Sequence, residues 1–205
     1  MLDTPNKLNV YEKPLVEEPE QSFTLPSYIY TDPAVYEIEK ERIFYKSWQY
    51  VGHKSLFQNP GDYVTIRICD QHVFVMMGGD GVLRAFYNVC QHRAHELLPE
   101  GIGNVRSVIV CPYHAWTFER EGNLRGAPRS ENRPGFNKAD YSLKQVNLEM
   151  FLDCAFVNLD PDAEPLSKTA ADLEADVREK VPFYSDLKTP REGGLGETYI
   201  KAGWK

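Results

Sequence analysis

Two short segments, CQHRAH at 90–95 and CPYHAW at 111–116, restrict this chain more than any other feature of it. Each sets a cysteine beside a histidine, as C-x-H and C-x-x-H, and each lies between runs of strand character. Thiolate is a soft donor and imidazole a borderline one. The four residues Cys90, His92, Cys111 and His114 therefore suit zinc, or iron with sulfide, and hardly suit calcium or magnesium.

Spacing separates these two chemistries. A structural zinc site normally draws its cysteines from one C-x₂₋₄-C turn and its histidines from a separate H-x₃₋₅-H segment. Here each loop supplies one of each, which suits a two-iron cluster with both cysteines on one iron and both histidines on the other. Exchanging two thiolates for two neutral imidazoles removes negative charge. It raises the potential to about −150 to +300 mV, against roughly −400 mV for all-cysteine plant-type clusters. The spacing thus predicts a Rieske [2Fe-2S] centre on Cys90, His92, Cys111 and His114, with a zinc-binding interaction module as the alternative from another class. His95 is expected to face solvent, and His53 and His72 lie in strand-like runs with no partner motif. Tyr113 and Trp116 flank the second histidine, where they either shield the centre from water or simply pack the core. Pro112 restricts Cys111 to an extended backbone.

The rest of the chain reads as mainly β, with small antiparallel sheets and flanking N-terminal and C-terminal helices. Residues 1–27 are rich in Pro and Glu and suggest an arm laid along another surface. A helix is expected over 31–48, with Asp32 as cap, Pro33 in its first turn, and Val35, Ile38 and Tyr45 on one face. Strands are expected at 62–68, 72–77, 82–89, 106–110, 115–120, 145–150 and 154–159, with GGDG at 78–81 as a tight hairpin. Ala170, Leu173, Val177 and Val181 then recur at helical spacing up to Pro182, and GETYIKAGWK at 196–205 begins a strand that exposes Tyr199, Ile200 and Trp204. The expected divisions are an arm and helix over 1–48, the iron-sulfur domain over 49–160, and a linker helix with the start of a further domain over 161–205. Cys69 and Cys154 read as small apolar residues of strands, too few with the other two for a disulfide scaffold. A net charge of −7 without a Lys/Arg cluster argues against nucleic acid. No apolar run approaches the roughly 18 residues of a membrane span, and the polar opening lacks a secretory signal, so a cytoplasmic protein is expected.

FYNVCQHRAHELL at 86–98, CPYHAWTFEREGNLRGAP at 111–128 and FVNLDPDAEPL at 156–166 together resemble the large (alpha) subunit of the Rieske non-haem iron oxygenases over nearly the whole chain. The resemblance implies cluster ligation by Cys90, His92, Cys111 and His114. It further implies an NAD(P)H-dependent flavin or iron-sulfur reductase as electron donor, and a homotrimer in which electrons pass to a mononuclear non-haem Fe(II) in a C-terminal catalytic domain. That iron needs two histidines and a carboxylate, and no histidine follows His114, so the chain is expected to be the electron-transfer portion alone, with no catalytic residue of its own. A stand-alone Rieske ferredoxin is the alternative, opposed by the flanking helices. A subunit of a quinol-oxidising membrane complex would need a membrane anchor and a cysteine pair near His95 and Tyr113. Ala94 and Ala115 stand where many members have glycine, so the loops are expected not to rely on glycine-only angles there. The wording of both loops is most similar to the branch acting on quaternary ammonium compounds such as carnitine, glycine betaine and stachydrine.

Overall fold

The structure, a computed structural model, describes residues 20, 25–188 and 201. The backbone divides into two compact units, Glu39–Tyr199 and the remainder. Most of the expected arm at 1–27, and all but Lys201 of the expected strand at 196–205, lie outside the described residues.

Helix α1 spans Tyr28–Thr31 and α2 spans Pro33–Arg42. Asp32 caps α2 as expected, its Oδ1 accepting from the Ala34 N–H at 2.9 Å. The helix stops short of the expected residue 48. Ser47 Oγ donates to the Ile43 carbonyl at 2.7 Å, and the chain tightens into a 3₁₀ turn over Phe44–Lys46. That turn aims the Tyr45 hydroxyl at Asp70, so Tyr45 serves a tertiary contact instead of a helix face.

Ten short strands follow: β1 (Gln49–His53), β2 (Asp62–Ile68), β3 (Gln71–Met77), β4 (Leu83–Tyr87), β5 (Ile102–Asn104), β6 (Ile109–Val110), β7 (Thr117–Phe118), β8 (Leu124–Gly126), β9 (Gln145–Phe151) and β10 (Cys154–Asn158). Seven form an antiparallel sheet in the order β1-β10-β9-β4-β3-β2-β5, and β6-β7-β8 form a second, three-stranded sheet. The mainly β, antiparallel expectation is met. The strands expected at 106–110 and 115–120 shrink to β6 and β7, because residues between them are taken up by a loop with its own hydrogen bonds.

β3 reads as an unbroken apolar run because both of its faces are covered. Val73 and Val75 point into one core with Val51, Leu56, Val64 and Val157. Phe74 and Met76 point into the other, with Phe86, Ile109, Trp116 and Phe118 beside Cys90 and Cys111. Each large side chain so buried contributes roughly 1.5–3 kcal/mol. The second core is the floor on which the two motif loops rest. Gly122 closes the β7–β8 hairpin at φ +93°, and a Cβ there would run into the Phe86 ring.

The single helix expected before Pro182 is two, α3 (Leu166–Thr169) and α4 (Ala171–Lys180). Ala170 breaks it at φ −119°, ψ 22°, after Thr169 Oγ1 has bonded back to the Leu166 carbonyl at 3.2 Å. Glu149 of β9 sets where α3 starts, its carboxylate accepting from the N–H groups of Leu166 and Ser167 at 2.7 Å each. Neither helix buries a residue, and Leu173 is 52% exposed.

Candidate metal centre

The two motif loops have the same backbone construction. In the first, the Cys90 N–H donates to the His95 carbonyl at 2.8 Å and the Ala94 N–H to the Cys90 carbonyl at 3.0 Å. In the second, the Cys111 N–H donates to the Trp116 carbonyl at 2.8 Å and the Ala115 N–H to the Cys111 carbonyl at 3.0 Å. Closing so short a ring with two bonds forces one left-handed residue in each, Ala94 at φ +52° and Ala115 at φ +57°. The expectation that alanine keeps these loops away from glycine-favoured angles is therefore wrong. The angles are used, at about 1–2 kcal/mol per residue, and the paired hydrogen bonds offset the strain.

The first loop is fixed to the sheet by residues that the motif does not include. Asn88 is buried; its Oδ1 accepts from the Leu97 and Leu98 N–H groups at 3.2 and 3.0 Å, and its Nδ2 donates to the Leu98 carbonyl at 2.8 Å. Glu96 accepts from Asn88 at 3.1 Å and lies 2.8 Å from His72 Nδ1. A bridge between Val89 and Glu96 closes the base. An asparagine two residues before a cysteine carries no signal that separates it from an ordinary turn residue, so this role was not legible in sequence.

All four motif side chains converge. Cys90 and Cys111 are each 2% exposed, unbridged, and within hydrogen-bonding reach of one another. The half-buried His92 and His114 rings lie 4.7 Å apart, centroid to centroid, at 73°. The Nδ1 atoms of both are buried without a hydrogen-bond partner. Leaving such an atom unsatisfied costs about 1–3 kcal/mol, so a matched pair of them beside two buried sulfurs marks a place completed by something that accepts nitrogen donors. Among the described residues no three His, Cys, Asp or Glu side chains group tightly enough to hold a single ion.

Burial pushes the Cys90 thiol up to about 11, although the His92 and Arg93 N–H groups bond to its sulfur. Burial, and then the charges of His114, Arg93 and Arg133, hold His92 below the ordinary imidazole range. The imidazole is therefore neutral and ready to ligate, whereas metal binding must displace the thiol proton.

Trp116 is 2% exposed in the core and stacks on His92, with ring centroids 4.8 Å apart and planes at 10°. Tyr113 lies 3.7 Å from His114 but is itself 55% exposed, so it covers one ring face without sealing the site. His95 faces solvent as expected, its Nδ1 2.6 Å from the Glu96 carbonyl. His53 is buried away from the centre, with Nδ1 3.0 Å from Ser55 Oγ.

Comparisons with known proteins point to one family. Residues 47–147 match the Rieske [2Fe-2S] domain family. The carnitine monooxygenase oxygenase subunit of Escherichia coli (strain K12) is 44% identical over 187 residues, covering 91% of this chain and 49% of that protein. The biphenyl 2,3-dioxygenase subunit alpha of Rhodococcus jostii (strain RHA1) is 36% identical over 194 residues, covering 91% and 40%. A crystal structure of the apo form of a quaternary ammonium Rieske monooxygenase superposes with a TM-score of 0.77 at 38% identity, covering 82% of this chain and 48% of that one. The chain spans about half the length of these curated relatives. No helix among the described residues is long and apolar enough to cross a membrane. With its paired loops and mainly β fold, the stretch over residues 47–147 is a Rieske [2Fe-2S] domain, and the chain around it is similar to the oxygenase subunits of monooxygenases and dioxygenases.

Proposed function

We propose that Cys90 and Cys111 hold one iron of the Rieske cluster and that His92 and His114 hold the other through Nδ1. The paired, buried and unpartnered Nδ1 atoms over two buried sulfurs carry this reading. When bound, such a cluster takes up and releases one electron at a time, at about −150 to +300 mV. The protein's part is to hold its ligands still. Asn88 and Glu96 fix the first loop, Trp116 fixes the His92 ring plane, and the apolar floor keeps water from the sulfurs.

Residues 49–160 are the electron-transfer domain in this reading. The whole protein is an oxygenase in which single electrons from a reductase pass through this domain to a mononuclear non-haem iron that activates O₂. The relatives named for carnitine and quaternary ammonium substrates support a quaternary ammonium compound as the substrate. A homotrimer and an NAD(P)H-dependent flavin or iron-sulfur reductase complete the proposal, and such a donor makes the cytoplasm its compartment. The test is anaerobic purification after supplying iron and sulfide. A coloured protein with iron and acid-labile sulfide in equal amounts is expected. A colourless one that holds zinc contradicts the reading, since Zn²⁺ has no visible transitions.

A further inference from the structure

Six buried side-chain atoms have no hydrogen-bond partner among the described residues. Three of them, His92 Nδ1, His114 Nδ1 and Trp116 Nε1, belong to the two motif loops; the other three, on Tyr28, His53 and Asp153, belong to other elements. The two histidine nitrogens are those proposed to hold iron. Trp116 Nε1 differs in kind, because an indole nitrogen donates a proton and accepts none. A metal ion answers the histidine lone pairs and does nothing for this donor, which needs an acceptor. Among the described residues it finds none. The indole lies at 10° to the His92 imidazole, so its N–H, which points outward in the ring plane, is not aimed at that ring. Phe136 and Tyr141 meet the indole at 86° and 80°, with ring centroids 5.9 and 5.5 Å away. Cys90 and Cys111 share its core, yet neither sulfur bonds to Nε1. Trp48 shows the ordinary outcome, its Nε1 donating to the Glu164 carbonyl at 2.9 Å. Trp116 is 2% exposed, so no bulk water replaces the missing acceptor, and a donor left alone there carries its full desolvation cost.

We infer that the Trp116 indole N–H donates a hydrogen bond to a sulfide of the cluster and thereby raises its potential. The inference rests on the Rieske reading and adds to it a residue that touches the cluster without ligating a metal. Sulfide is an anionic acceptor, and a bond to it strengthens as an added electron makes the centre more negative. The bond therefore favours the reduced form. Stacking on His92, which the same side chain supplies, orients the imidazole and carries no such bias. The proton stays on the indole in both redox states.

The experiment uses the cluster-loaded chain with Trp116 replaced by benzothienylalanine, whose ring sulfur takes the place of the N–H while two fused rings remain to stack on His92. Redox titration followed by absorbance should show the ratio of reduced to oxidised cluster, read at the parent's midpoint, falling about three- to tenfold. Trp48→Phe removes an indole that already has its acceptor and should leave that ratio unchanged. Pulsed electron paramagnetic resonance of the reduced parent, grown with ¹⁵N-tryptophan, needs no variant that might fail to load. It should show one coupled indole nitrogen with one exchangeable proton, both kept in Trp48→Phe and lost in Trp116→Phe. An unmoved ratio in the loaded analogue overturns the inference, because the N–H then bonds to a buried water or an aromatic ring. A reduced parent without the indole coupling overturns it equally. A colourless protein sinks the Rieske reading and this inference together, whereas a coloured protein with an unmoved ratio sinks the inference alone.

Discussion

Ala94 and Ala115 hold a backbone conformation that glycine adopts more easily. Left-handed alanine costs about 1–2 kcal/mol, and glycine gives back roughly 0.5–1 kcal/mol in chain entropy. Ala115→Gly should therefore stabilise the protein by about 0.5–1 kcal/mol and raise its melting temperature by about 1–4 °C. A fall in melting temperature by calorimetry would show that the loop is not strained there. The ligands have the opposite tolerance. If His92 supplies a nitrogen to one iron, His92→Cys adds negative charge to the centre, and a variant that still loads should have a potential lower by about 100 mV or more. Redox titration followed by absorbance checks this; an unchanged potential would mean that His92 is not a ligand.

At the scale of elements, the cluster loops are only as firm as the strands and turns that hold them. Asn88→Ala would leave three buried backbone groups unsatisfied around Leu97 and Leu98, a loss of roughly 2–4 kcal/mol. Urea unfolding should show that loss, and bleaching of the loaded protein should be faster. A variant as stable as the parent would mean that the loop is held elsewhere. The four proposed ligands stand out because few donor sets satisfy a two-metal centre from two short loops, and strands β2, β3, β9 and β10 because each runs five to seven residues with apolar positions facing the core. Strands β5 and β8, of three residues each, have too little length to show a period, and β6 and β7 keep only two residues each of the runs expected at 106–110 and 115–120. The break at Ala170 escaped for another reason. Helical spacing runs straight through it, while the carboxylate of Glu149, distant in sequence, decides where α3 starts.

At the scale of the whole molecule, surface charge sets the response to acid. The hydrogen bond from Arg84 holds the Asp80 carboxyl down at about 2, below the ordinary carboxylate range. Bonds from Tyr45, Gln71 and Lys40 hold Asp70 lower still than the usual carboxylate range. Both carboxyls are depressed in the folded state, so their stabilisation is present above pH about 4 and is lost as pH falls toward about 2. Both are exposed, which keeps the effect small. Asp80→Asn should melt below the parent at pH 7, with the gap closing by about pH 2; a gap independent of pH would contradict the assignment.

The central claim is mixed ligation, with sulfur from Cys90 and Cys111 on one side and nitrogen from His92 and His114 on the other. The most direct measurement is pulsed electron paramagnetic resonance of the reduced protein grown with ¹⁵N-histidine. Two strongly coupled histidine nitrogens are expected, one disappearing in His92→Cys and the other in His114→Cys. A reduced centre with no coupled histidine nitrogen, or with couplings that survive both substitutions, would contradict the account.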